Sequence, residues 1–269
     1  MLVQAGTTMS LRFKEKGQYL RSFVADDSLF VDIMMNVGII FYAAQQQEQR
    51  GKQREAAELR RIANAHCRTS RRCLVRGDGS TAHEGIFDPA DGRFLRQSTR
   101  QGLRADSCWA RGLAWSMYGF SKVYALTGLE EFLEVSERNA AFWLGHLPDD
   151  QVPCWDFDAD RSQPLPWGPQ KESSAAAIAA SAMLDLARQT RCPEHAIAYH
   201  NQALVTLDAL SMPEYLAAQT PGWEGILKHG VYHTAKGLGV DESVMWGDFF
   251  FVEGLTKVVM GERERGLAG

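Results

Sequence analysis

An aspartate held among apolar residues is the first feature of this chain with an obvious chemical use. In DDSLFVDIMMN (26–36), Asp32 stands among Leu29, Phe30, Val31, Ile33, Met34 and Met35, with no basic residue beside it. Apolar surroundings disfavour the anion, whereas the positive end of a helix favours it. If desolvation wins, the carboxyl keeps a proton near neutrality and serves as a general acid. If backbone N–H groups of the same turn satisfy it, Asp32 is a local capping group, with Asp27 or Ser28 as the N-cap of the helix. The residues alone leave both open.

A second constellation lies in SCWARGLAWSMYGF (107–120), where Arg111, Trp115 and Tyr118 fall on one helical face at i, i+4 and i+7. A guanidinium flanked by aromatic rings suits an anionic sugar, the cation pairing with a carboxylate while an indole packs on the ring. Ordinary Arg–Trp packing produces the same pattern. His83 and Gln101 sit in the long segment leading to this helix, and Trp155, Trp167 and Trp223 sit in other long connections. Three loop indoles predict a carbohydrate-binding rim. Asp248 is a second carboxylate in apolar surroundings and the internal candidate to partner Asp32. No His or acidic cluster with metal-ligand spacing is present, nor a phosphate loop, dinucleotide fingerprint or nucleophile elbow, so no metal and no cofactor is expected.

The elements that must position these residues are helices of two alternating kinds. Residues 28–49, 106–127, 172–188 and 241–259 are apolar on nearly every side, as expected of helices surrounded by protein. Residues 51–73, 129–146 and 194–210 are amphipathic and read as outer helices. Connections after inner helices are short, and those returning from outer helices (76–105, 147–171, 213–240) are long and rich in turn residues. Long loops arriving at the starts of inner helices gather on one face, where sites are built. Strand-like alternation is confined to pieces such as HEGIF (83–87) and ILKHGVYH (226–233). The pattern predicts an all-α fold, an α/α toroid of inner and outer helices; seven helices do not close a six-hairpin (α/α)6 barrel, so the protein is either an open arc or lacks its beginning.

Composition narrows the function further. The 269 residues are 45% hydrophobic with a net charge of −4, enough for a sizeable core and without the basic excess that nucleic acid or anionic membrane demands. Five scattered cysteines predict reduced thiols. No apolar run is long enough to span a bilayer, and residues 1–16 lack a signal-peptide pattern, so a cytoplasmic location is expected.

Seven blocks in order, VDIMMN with FYAA, GSTAH, RQGLRADSCWARGLAW, YGF, VPCWDFDA, KESSAAAIAAS and HGVYHTAKGLGVDESVMWGDFFF, resemble the unsaturated glucuronyl hydrolases, glycoside hydrolase family 88. The resemblance covers about Gly17 to Val259. It implies that residues 1–269 are a single, N-terminally truncated domain of a six-hairpin (α/α)6 barrel, about seven of its twelve helices, and that the protein releases the 4,5-unsaturated uronic acid left by polysaccharide lyases, by hydrating its vinyl ether. Asp32 matches the family's general acid/base, His83 and Gln101 match substrate-binding residues, and Arg111 and Trp115 match the Arg and Trp of the uronate pocket. The YHTAKG loop (232–237) would lie near the neighbouring sugar. Family chains carry about five further helices ahead of this point, with a second functional Asp, so the resemblance also implies that the N-terminal third is absent. Such a chain would expose Phe30, Ile33, Phe41 and Phe249 to Phe251 and self-associate. A non-catalytic carbohydrate-binding remnant, a hydrolase of unsaturated galacturonyl-rhamnose and a helical scaffold are the alternatives.

Overall fold

The computed structural model describes residues 1–160, 162–163 and 168–264. In chain order it contains α1 (Leu2–Ser10), β1 (Phe13–Lys14), β2 (Tyr19–Leu20), β3 (Ser28–Phe30), α2 (Gly38–Gln49), α3 (Gln53–Leu74), β4 (Glu84–Phe87), β5 (Phe94–Ser98), α4 (Ala110–Thr127), α5 (Glu130–His146), α6 (Ser173–Gln189), α7 (Pro193–Ser211), β6 (Gly230–His233), β7 (Leu238–Glu242) and α8 (Met245–Glu264). The seven expected helices are present. The additional α1 is a single short segment that packs Gly6 against Ile39 and Ala43 of α2.

Helices α2, α4, α6 and α8 form an inner row, and α3, α5 and α7 back them from outside as hairpin partners. The Ala-rich α6 is buried without interruption from Ser173 to Leu184. Its small side chains let α4, α7 and α8 all approach it, which only a helix with little side-chain bulk on every face permits. Hairpin ends follow local rules: α4 stops at Gly128 with φ 67°, and α7 starts on Pro193.

The outer-to-inner connections cross-link one another into a single face. Strand β3 pairs with β4, which pairs with β5, Trp109 bridges to Asp156, and the Ser173 N–H donates to the His229 carbonyl at 3.0 Å. β4 and β6 fall within the two stretches of strand-like alternation.

Several expectations need correction. The first inner helix starts at Gly38, because Ser28–Phe30 is drawn into the β3–β4 pairing and Val31–Met35 forms a 3-10 turn. Ser28 is therefore no cap; its hydroxyl donates to Glu84 at 2.5 Å. Phe30, Ile33, Phe41, Phe250 and Phe251 are buried, since neighbouring loops and helices cover them, and only Phe249 of that group is exposed. Among the described residues, the exposed apolar side chains of α8 are instead Met245, Phe249, Val252, Leu255, Val259 and Met260. Trp155 is fully buried, donating from Nε1 to the Gly168 carbonyl, and belongs to the core rather than to a rim. Trp167 lies outside the described residues.

Candidate functional site

The apolar company of Asp32 belongs to the other sides of its turn. Leu29, Phe30, Val31, Ile33 and Met34 are buried, while the Asp32 side chain keeps 32% exposure and lines a cleft. The turn is fixed to the next loop by the Val31 N–H, which donates to the His83 carbonyl at 3.0 Å. His83 Nδ1 accepts from the Arg100 and Gln101 amides at 3.1 and 3.2 Å. Its proton is thereby placed on Nε2. That nitrogen faces Asp32 Oδ2 at 3.5 Å, and neither atom has a hydrogen-bond partner among the described residues. The local-capping alternative thus fails for Oδ2, which no amide of the turn reaches.

Beside this pair runs a stack of flat groups. Ring centroids of Phe30 and His83 are 4.9 Å apart, and those of His83 and Trp109 are 4.6 Å apart. The Arg111 guanidinium then lies 4.5 Å from the Trp109 ring and 5.0 Å from the Trp246 ring. Arg111 is buried, and its terminal nitrogens donate to Glu172 (2.8 Å), the Val231 carbonyl, Gln101 Oε1 (2.6 Å) and the Tyr232 carbonyl (2.8 Å). The guanidinium therefore spends these donors inside the protein, instead of standing open to a ligand carboxylate. Its aromatic neighbours are also not those expected. Seven residues of helix cover about 10 Å, so Tyr118 reaches Glu253 instead, while Trp115 meets Phe250 edge-on.

The cleft has a volume of about 500 Å³ and is lined by Asp32, Met35, Asn36, Trp115, Trp246 and Phe249, among others. Its walls are apolar and aromatic, with Asp32 the one carboxylate among the residues that line it. Asp248 does not partner Asp32. Its oxygens accept from the Ile226 and Leu227 amides at 3.0 and 2.9 Å, which secures the loop before β6. Trp223 is likewise engaged, donating to Ser243 Oγ at 2.6 Å.

Burial governs the ionisable groups behind the cleft. It pushes the Glu172 carboxyl up, opposed by Arg111, and it lowers the Arg111 guanidinium, opposed chiefly by Glu172. His233 is held below the usual imidazole range, first by burial and then by the charge of the nearby Lys236, with Arg111 a smaller contributor. Asp156 accepts from the Leu103 amide and the Ser107 hydroxyl, both at 2.8 Å, and thereby fixes the segment that follows Gln101. Sequence patterning missed Glu172, Asp156 and Trp109. Their only signal is a polar or aromatic residue just before, or in a loop between, helices, and that signal is common to ordinary caps.

Among the proteins compared, a curated relative from Bacillus sp. (strain GL1), named unsaturated glucuronyl hydrolase, is 34% identical over 243 residues, 90% of this chain and 60% of its own length. A Streptococcus pyogenes serotype M1 protein named unsaturated chondroitin disaccharide hydrolase is 28% identical over 95% of this chain and 62% of its own. The crystal structure of the Bacillus sp. GL1 unsaturated glucuronyl hydrolase, described as responsible for degradation of glycosaminoglycan, superposes with a TM-score of 0.86. It is 31% identical across 97% of this chain and 68% of that one. The chain belongs to the unsaturated glucuronyl hydrolase family. No protein-family model matches it. The matches take in most of this chain and do not by themselves support the expected loss of an N-terminal third; the chain spans 60% and 62% of those curated relatives' lengths. Of the residues the family resemblance singled out, Asp32 and His83 face each other, Gln101 is bound to Arg111, and Trp115 lines the same cleft as Asp32.

Proposed function

We propose that this chain is a glycoside hydrolase that releases 4,5-unsaturated glucuronic acid from the non-reducing end of lyase-generated oligosaccharides. Asp32 protonates C4 of the vinyl ether and then accepts a proton from the water that adds at C5; the resulting hemiketal collapses to free the sugar. His83, Gln101, Arg111 and Trp115 shape the pocket for the uronate ring. The observation that carries this reading is the unpartnered Asp32 Oδ2, set 3.5 Å from the His83 N–H in a cleft walled by two indoles. A single half-exposed carboxylate suits one proton-transfer group acting in both steps. It does not suit the paired carboxylates of direct glycosidic displacement. The names of the relatives support unsaturated glucuronyl and chondroitin disaccharides as substrates, and one similar structure is described with dGlcA-Glc-Rha-Glc.

The test is loss of the double-bond ultraviolet absorbance when the chain is incubated with unsaturated chondroitin disaccharide, with the galacturonyl-rhamnose disaccharide alongside. Turnover of the first, and a fall of about a thousandfold in Asp32→Asn, is expected; turnover of the second alone would assign the chain to the pectin-type activity. A second reading is carbohydrate binding without turnover, on the Trp115 and Trp246 indoles that wall the cleft. Undiminished binding in Asp32→Asn together with no turnover in the wild type would select it. A cytoplasmic location and self-association along the exposed face of α8 belong to the same proposal. Support comes from the five free cysteines for the first and from Met245, Phe249 and Val252 for the second. No helix among the described residues is long and apolar enough to cross a membrane.

A further inference from the structure

Glu172 lies immediately before α6, fully buried, at the junction of three elements. One oxygen accepts from Arg111 at 2.8 Å, and the other accepts from the Ser174 hydroxyl at 2.5 Å and the Val231 amide at 3.4 Å. Arg111 in turn donates to the Val231 carbonyl, so the Val231 backbone is held at its N–H by the anion and at its C=O by the cation. The same guanidinium holds Gln101 Oε1 and the Tyr232 carbonyl. With its oxygen taken, the Gln101 amide is oriented to donate through its nitrogen. A buried carboxylate is costly unless it is paired and hydrogen-bonded. Here the pairing joins α4, α6 and β6 through one side chain.

We propose that Glu172 is a positioning residue of this site: acting through Arg111, it sets where Gln101 and the Val231–His233 backbone stand around the Asp32 end of the cleft. The consequence is directional. Glu172 is not among the residues that line the cleft, so its loss acts on the reaction through the groups it holds: chiefly Arg111 and, by a lesser route, Ser174, whose hydroxyl oxygen accepts from the Trp246 indole at 3.0 Å. Arg111 without Glu172 is a buried cation that must either draw in water or swing toward another acceptor, and Gln101 and β6 move with it.

The inference rests on the proposed hydrolase reading, and its test is a pairwise comparison. Glu172→Gln keeps the shape and removes the charge; it is expected to lower kcat/KM by roughly a hundredfold, with KM rising more than kcat falls. In an Arg111→Met background, adding Glu172→Met is expected to change kcat/KM by no more than about fivefold, because the main route is gone and only the Ser174 and Val231 contacts remain. Should Glu172→Gln fail to fold, the double apolar replacement, which leaves no unpaired buried charge, keeps the comparison available. A near-normal Glu172→Gln enzyme, or a further hundredfold loss in the Arg111→Met background, would overturn the proposal. If the wild type shows no turnover, the hydrolase reading fails separately. The crystal structure of Glu172→Gln, or of the double variant, then decides this one: Gln101 and residues 231–233 displaced supports it, and both unmoved refutes it.

Discussion

Arg111 illustrates how far a residue's chemistry depends on what surrounds it. A guanidinium between two indoles, with four acceptors on its terminal nitrogens, satisfies the geometry that only a planar fork can meet. Arg111→Lys retains the charge but cannot stack and donate in four directions at once. It should destabilise the chain by about 3 kcal/mol, read as a lower midpoint in urea, and should also impair substrate binding. Asp32 sits differently, bounded by apolar residues behind and by the cleft in front. Its replacement by Asn should leave thermal stability within about 0.5 kcal/mol of wild type, a check that any loss of turnover is chemical.

At the scale of elements, the 3-10 turn that carries Asp32 is seated by glycines of α4. A Cβ on Gly119 would lie 2.6 Å from Met34 Cβ and 2.8 Å from its carbonyl oxygen, and one on Gly112 would lie 2.6 Å from the Trp109 ring. The close approach leaves no room for a methyl group, and the nearest atoms at Gly119 include backbone that cannot rotate aside. Gly119→Ala is expected to cost about 1–3 kcal/mol and to push the turn off α4. Activity should then fall more than it does for a surface variant of equal stability, as measured by turnover per folded molecule. The β3–β4 pairing and the Val31–His83 hydrogen bond would move His83 with Asp32, so KM should change less than kcat.

For the whole molecule, two properties follow from what is inside and what is outside. His66 is completely buried on α3; its Nδ1 accepts from the Leu20 amide, and burial, assisted by the Arg12 charge, drops its pKa to about 3. A depressed imidazole pKa means that the unfolded chain takes up a proton below about 6.5 while the folded chain does not. Stability is therefore fully present above that pH and declines as pH falls toward 3, by about 1.4 kcal/mol per unit from this group. Urea unfolding between pH 7.5 and 5 should show this slope, and His66→Gln should flatten it. The outer property is the apolar stripe of α8. If Met245, Phe249 and Val252 mediate association, Phe249→Glu should abolish the concentration dependence of the sedimentation coefficient; a monomeric wild type would refute the expectation.

The alternation of inner and outer helices was legible because it is a local property: a helix surrounded by protein needs apolar residues on every side, as in the Ala-rich stretch Ser173–Leu184, and a helix backing it needs one charged face. The order of motif blocks also identified Asp32, His83, Gln101, Arg111 and Trp115 as candidates. Sequence patterning could not reveal that Ser28–Phe30 leaves the helix for a strand, because the partner that draws it away is Glu84–Ile86, more than fifty residues on. Nor could it reveal that Arg111 belongs to Glu172 and Val231, 61 and 120 positions distant, rather than to the aromatics of its own helix face. Periodicity is written in neighbours, but a buried charge must find its counterpart wherever the packed chain brings one. The sequence by itself determined which helices face inward and which residues could do chemistry; the tertiary structure alone decided which of them meet.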